Sequence, residues 1–170
     1  LTIGEEFNKL QERRVAYVGD CNNVARSLAL ACSMLGLNYT VGCPPDYQFD
    51  EQFRRTVQSY ADRNDTTFEV VDSPEDAVAE AEVVYTDTWI SMGQEAEAEA
   101  RRKSFQGYRV DEELLGHAAE AARVMHCLPA HRGQEITDEV IEGPRSIVFD
   151  QAENRLHAER ALLYEMVDAG

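Results

Sequence analysis

The chain has 170 residues, enough for one domain with a proper core, and 44% of them are hydrophobic, as in an ordinary globular protein. Its 32 Asp and Glu against 16 Lys and Arg give a net charge of −16, and only Lys9 and Lys103 are lysines. That balance argues against nucleic acid and anionic membrane surfaces as partners, and no apolar run reaches the roughly eighteen residues of a membrane span.

The first ten residues, LTIGEEFNKL, lack a basic region and a hydrophobic signal core, so a cytoplasmic protein is expected. Residues 1–10 look helical, with Leu1, Ile3, Phe7 and Leu10 apolar. A strand follows over 15–18 and a helix over 22–35, ended by Gly36 where a helix C-cap favours glycine. A second strand is expected over 39–41. Residues 51–63 read as helix, with Phe53, Val57 and Tyr60 on one face. The third strand is 67–71, and Ser73 caps a short helix that has Pro74 at its first position. Strand four is 82–86. A long loop passes Gly93 into a Glu-rich helix, and a helical turn or two with a break lies within 111–121. Strand five is 123–127, then a short capped helix over 137–142, a brief apolar run over 146–149, and a long helix over 152–167.

Alternating strands and helices predict an α/β fold: a doubly wound, mainly parallel five-stranded sheet with helices on both faces. The loop after strand one, Gly19-Asp20-Cys21-Asn22-Asn23-Val24, sits where a Rossmann protein carries its glycine fingerprint. That pattern is absent, so the fold is Rossmann-like without dinucleotide binding.

The acidic surface suggests adaptation to high salt, where screening relieves self-repulsion. Glu95 and Glu99, spaced one helical turn apart, would form an unfavourable pair in dilute buffer. The four cysteines form no CxxC pair, so no metal or redox centre is expected. Cys21 and Cys43 both follow strands and could lie near each other, though a disulfide would need an oxidising compartment that nothing else suggests.

Ligands of open α/β sheets bind beyond the carboxyl ends of the strands. Two stretches put reactive groups there: Asp87-Thr88-Trp89-Ile90-Ser91-Met92-Gly93 and His126-Cys127-Leu128-Pro129-Ala130-His131-Arg132-Gly133. One of Asn22 and Asn23 caps the helix, and the second amide is free for a carboxylate at the helix N-terminus. Asp87 could be a turn aspartate or the partner of an ammonium. Ser91 adds an acceptor, and the Met92 N–H a donor. With Asn23 these groups suit a zwitterionic amino acid. A lone Cys127 is more often a small buried hydrophobe, but His126, His131 and Arg132 could favour its thiolate. Leu128, before proline, is expected to be extended. Arg155, early in the last helix, is either a surface cation or an anion or carbonyl contact.

Four blocks, GDCNNV (19–24), DTWISMG (87–93), HCLPAHRG (126–133) and FDQAENRLHAERALL (149–163), resemble the ornithine-binding domain of the ornithine carbamoyltransferase family, in its order and approximate spacing. The resemblance spans essentially all of the chain. It implies transfer of the carbamoyl group of carbamoyl phosphate to the δ-amine of L-ornithine, giving L-citrulline and phosphate, without a cofactor. By that resemblance Asn23, Asp87, Ser91 and Met92 bind ornithine. Cys127, Leu128 and Arg155 meet carbamoyl phosphate, and Asp87 and Cys127 act in catalysis. The family's Ser-x-Arg-Thr-Arg phosphate motif, carried on a preceding domain that builds its trimer, has no counterpart here. One domain over 1–170 is therefore expected, with interdomain helices at about 1–10 and 152–168 and the carbamoyl-phosphate domain missing. Alone it should be inactive, with Leu1, Ile3, Phe7, Leu162, Leu163 and Met166 in need of cover. Two alternatives stand: an amino-acid-binding module without catalysis, or a carbamoyltransferase for another amine.

Overall fold

The computed structural model describes residues 1–168 apart from Met92 and the side chain of Glu95. Five strands, β1 (Arg14–Val18), β2 (Asn38–Gly42), β3 (Phe68–Val71), β4 (Val83–Thr86) and β5 (Arg123–His126), form one parallel sheet in the order β3-β2-β1-β4-β5. Successive side chains of a strand point to opposite faces, and each face here has its own core. Val15 and Tyr17 join Tyr39, Val41, Val83 and Tyr85 on one side. Ala16 and Val18 join Val84 and Val124 on the other. A strand buried on both faces reads as a continuous apolar run, as Val83-Val84-Tyr85 does.

Helices cover both faces. α2 (Asn23–Leu35) brings Ala25, Ala29 and Cys32 to the first core, and α3 (Glu51–Arg63) brings Val57 and Ala61. α4 (Pro74–Val78), α6 (Glu112–Leu115) and α7 (Asp138–Ile141) bring Val78, Leu114, Leu115, Val140 and Ile141 to the second. α5 (Ala98–Ser104) follows a 3-10 turn, Glu95–Glu97, rather than starting at Glu95. Side-chain caps fix the helix starts by satisfying free N–H groups. Asn22 accepts from Val24 and Ala25 (2.9 and 3.1 Å), Asp50 from Phe53 (2.9 Å), Ser73 from Asp76 (3.0 Å) and Asp111 from Leu114 (3.0 Å). Gly36 ends α2 in the left-handed region (φ 81°).

From β1 the chain winds outward through β2 to β3, then crosses back to β4 beside β1. The order reverses between β1 and β4, the position where open α/β sheets take their ligands.

The ends depart from expectation. α1 is confined to Thr2–Phe7, stopped by Asn8 in the left-handed region (φ 57°). Ile3, Phe7 and Leu10 pack on the first core, whereas Leu1 stays exposed. The last helix, α8 (Val148–Asp168), starts four residues earlier than expected, so the apolar run over 146–149 leads into its first turn. Val148 is its only buried residue, and Leu162, Met166 and Val167 are 61%, 66% and 80% exposed. Asn154 ties α8 to α1 by donating to Thr2 (3.1 Å) and to Glu5. No described helix is long and apolar enough to cross a membrane.

Candidate functional site

The loops after β1, β4 and β5 meet at the switch point. Asn22 is the α2 cap, and its amide nitrogen donates to Asp87 Oδ2 (2.9 Å). Asn23 is thereby left free and exposed at the first position of α2, on the wall of a cleft of about 1130 Å³. The cleft lies between α1, α2, the ends of β4 and β5, and α8. Tyr85, Cys127, Leu128, Gln151 and Arg155 also line it, with Leu10, Val24 and Leu28 as apolar walls. Concave, mostly apolar walls with a few convergent polar groups are the usual form of a small-molecule site.

Asp87 lies just behind this wall. It is buried, and its oxygens take donors from three sides: Asn22, the Thr88 N–H (2.7 Å) and the Cys127 thiol (3.0 Å). Ser91 is not on the cleft wall; its backbone N–H is held by Gln94 (3.0 Å). Met92 lies outside the described residues, and so does the Glu95 half of the Glu95–Glu99 pair. The structure thus brings Asn23, Cys127, Leu128 and Arg155 to one cleft with Asp87 behind it, and leaves Ser91 aside. Arg155 is largely exposed and faces Glu159 at 3.7 Å.

Of the two readings open for Cys127, its surroundings favour the thiol over the thiolate. Burial, then its hydrogen bond to Asp87 and that group's charge, push the thiol up to about 12. The three side chains that could favour a thiolate are engaged elsewhere. His126 is fully buried: its Nδ1 accepts from the Leu128 N–H (2.8 Å) and its Nε2 faces Glu135 (3.3 Å). His131 also faces Glu135, and Arg132 pairs with Asp138 (2.7 Å) and Glu142 (2.5 Å). The bond to His126 also holds Leu128 in a tight turn at φ 55°, preceding a cis peptide to Pro129, in place of the extended backbone expected there.

Asp87, His126 and Cys127 bring ligand-type atoms within 4.8 Å of one another. Asp87 and Cys127 bond each other there, while His126 Nδ1 accepts from Leu128 and its Nε2 faces Glu135 at 3.3 Å without a hydrogen bond. Cys21 and Cys43 are both buried free thiols in the first core.

Several residues that shape the site had no signal in the sequence. Arg101 on α5 is buried, pairs with Asp20 beside the β1 loop, donates to the Trp89 carbonyl (2.7 Å) and lies over the Tyr47 ring (4.7 Å). It joins the loops after β1 and β4. Burial pushes the Asp20 carboxyl up, against the pull of Arg101. Glu135 is buried between the two histidines. Tyr85 and Gln151 hold each other (2.8 Å) on the cleft wall. Gln151 lies within a recognised block, but nothing in the sequence names its partner.

The family model described as aspartate/ornithine carbamoyltransferase, Asp/Orn binding domain, matches residues 11–166. The chain is 52% identical over 169 residues to an ornithine carbamoyltransferase of Acidothermus cellulolyticus, covering 99% of this chain and 54% of that one. It is 49% identical over 162 residues to one of Thermococcus kodakarensis, covering 95% and 51%. Its fold matches the solved ornithine carbamoyltransferase from Pyrococcus furiosus with a TM-score of 0.91 at 49% identity, covering 95% of this chain and 52% of that one. The chain spans about half the length of the curated relatives it matches.

Proposed function

Because the chain belongs to the aspartate/ornithine carbamoyltransferase family, as its Asp/Orn-binding domain, we propose that it binds L-ornithine in a protein that makes L-citrulline and phosphate from ornithine and carbamoyl phosphate. The observation that carries this reading is the Asp87–Cys127 contact (3.0 Å) behind a cleft edged by Asn23 and Arg155.

The δ-amine of ornithine is an ammonium near neutral pH, with a pKa of about 10.4 if it behaves like lysine. Asp87 supplies a buried carboxylate behind the cleft and would pair with an ornithine ammonium. Asn23 would meet the carboxylate at the N-terminus of α2, where the helix dipole favours an anion. Ser91 and Met92, on the loop after Asp87, would complete that grip. The neutral amine attacks the carbamoyl carbon, the carbonyl oxygen gains charge, and phosphate leaves with the nitrogen's proton as the tetrahedral intermediate collapses. Cys127, held as a thiol whose hydrogen goes to Asp87, would orient that carboxylate toward the amine and would not serve as a nucleophile. Leu128 would sit at the junction of the two substrates and Arg155 would reach carbamoyl phosphate.

The further parts of this reading follow from the same resemblance. A second domain would bring the phosphate site, α1 and α8 would join the two domains, and the whole would assemble as a cytoplasmic trimer. The net charge of −16 supports a salt-adapted protein. The test is citrulline formation by the intact protein, with putrescine as a competing acceptor and this chain alone as a control. Ornithine turnover by the intact protein and none by the chain alone is expected. Preference for putrescine would overturn the acceptor, and ornithine binding without turnover would favour an amino-acid-binding module.

A further inference from the structure

One side chain joins the start of α2 to Asp87. Asn22 ends the loop after β1, and its Oδ1 accepts the N–H groups of Val24 and Ala25 (2.9 and 3.1 Å). Those two donors settle the amide's orientation, because an NH2 group could not face them. Nδ2 therefore points the other way and donates to Asp87 Oδ2 at 2.9 Å, across 65 residues. The backbone beneath is held as well. The Asn22 N–H donates to the Asp20 carbonyl (2.7 Å), and the Asp20 side chain pairs with buried Arg101.

The donors to Asp87 divide unequally between its oxygens. Oδ1 takes the Thr88 N–H (2.7 Å) and the Cys127 thiol (3.0 Å). Oδ2 takes Asn22 alone among the described residues. A carboxylate oxygen offers about two lone-pair sites, so Oδ1 is full and Oδ2 keeps one. The last torsion of an Asp side chain is soft. Bonds to Oδ1 alone would let the carboxylate turn, and the bond at Oδ2 fixes its plane.

We propose that Asn22 is a positioning residue for the acceptor site: it holds Asp87 Oδ2 in place, and Oδ2 is the atom that receives the substrate ammonium. The inference deepens the ornithine reading and rests on it. The residue type follows from the double duty. Asn, Asp and Ser cap helices about equally well. An Asp, however, would set a second acceptor against Asp87, and a Ser hydroxyl ends one atom short of the Asn amide nitrogen. Over this span the Asn amide alone accepts from the helix and donates to a carboxylate at once.

The competing account is that Asn22 caps α2 and does nothing else. Two substitutions in the intact protein separate the two. Asn22→Ser keeps the cap and loses the bond to Asp87, whereas Asn22→Ala loses both. The KM for ornithine should rise roughly tenfold in each, the worth of one hydrogen bond to a charged group. The KM for carbamoyl phosphate should hold, and only Asn22→Ala should clearly lower the urea midpoint. The effect should also run through Asp87. Asn22→Ser should lower kcat/KM for ornithine roughly tenfold by itself but less than about threefold when added to Asp87→Asn, because residues in contact do not act additively. A cap alone predicts a near-normal ornithine KM in Asn22→Ser, with every effect confined to Asn22→Ala. That pattern, or equal losses from Asn22→Ser with and without Asp87→Asn, would overturn this inference alone. Absence of any ornithine turnover by the unchanged intact protein would overturn the ornithine reading, and this inference with it.

Discussion

Two stretches of the molecule treat polar and apolar groups in opposite ways. At the β1–β4 switch point Asp20, Asp87 and Arg101 are buried, and each has partners within the chain. Along α8 beyond Asn154 the polar groups are solvated, and Leu156, Leu162, Leu163, Tyr164, Met166 and Val167 are all more than half exposed. A buried charge needs its partner in place, because desolvation without one costs several kcal/mol per ion, of order 5. An exposed leucine costs little in the chain by itself, but several on one helix make a face that suits a neighbour. The switch point is thus completed by this chain, and α8 offers a surface that the chain leaves uncovered.

The comparison is broken most severely at Asp87. Asp87→Asn in the intact protein should lower turnover roughly 10²- to 10⁴-fold, the usual range for a group that positions or moves a proton. Citrulline assays, with circular dichroism as a check on folding, decide it, and near-normal kinetics would refute the assigned role. Cys127→Ser should be milder, because a hydroxyl keeps a donor toward Asp87.

Arg101→Met tests the same region for stability. It leaves the Asp20 carboxylate buried without its partner, which should cost about 3–5 kcal/mol in urea unfolding. A loss below about 1 kcal/mol would show that water reaches Asp20 on the side of the β1 loop.

On α8 the expectation is nearly the reverse. Leu162→Ser in this chain alone should change stability by no more than about 0.5 kcal/mol, as for other surface positions. In the intact protein the loss should approach about 1.5–3 kcal/mol if another segment buries Leu162. Equal small effects in both would show that α8 stays open to solvent throughout.

The smallest effect belongs to the charged surface that both regions share. The melting temperature should climb with KCl from 0.1 M to 1 M, as the Debye length falls from about 10 Å to about 3 Å. A flat or falling trend would reject salt adaptation.

The sequence carried the fold because its signals are local. Asn22, Asp50, Ser73, Asp111 and Thr137 lie within three residues of the N–H groups they cap. Short apolar runs marked the five strands, because a parallel strand covered on both faces reads as a continuous apolar stretch. The site was legible where a group stands at a strand end, as Asp87 and Cys127 do. It was not legible where the decisive partner is remote. Arg101 meets Asp20 across 81 residues, and Gln151 meets Tyr85 across 66. The choice between the two readings of Cys127 was hidden for the same reason. His126, His131 and Arg132 are neighbours of Cys127 in sequence, but Glu135, Asp138 and Glu142 claim them. Leu128 departs from the extended backbone because the His126 ring, two residues away, takes its N–H.

The central claim is that Asp87 and Cys127 back the cleft that receives the acceptor amine. Protection of Cys127 from alkylation in the intact protein tests it most directly, with inorganic phosphate replacing carbamoyl phosphate so that no turnover occurs. Cys127 is half-buried beside the cleft, whereas Cys21, Cys32 and Cys43 are buried. Labelling should therefore fall on Cys127 first. The account predicts that ornithine slows this labelling saturably, that alanine does not, and that Asp87→Asn abolishes the protection. Labelling of Cys127 that proceeds at the same rate with and without saturating ornithine would contradict it.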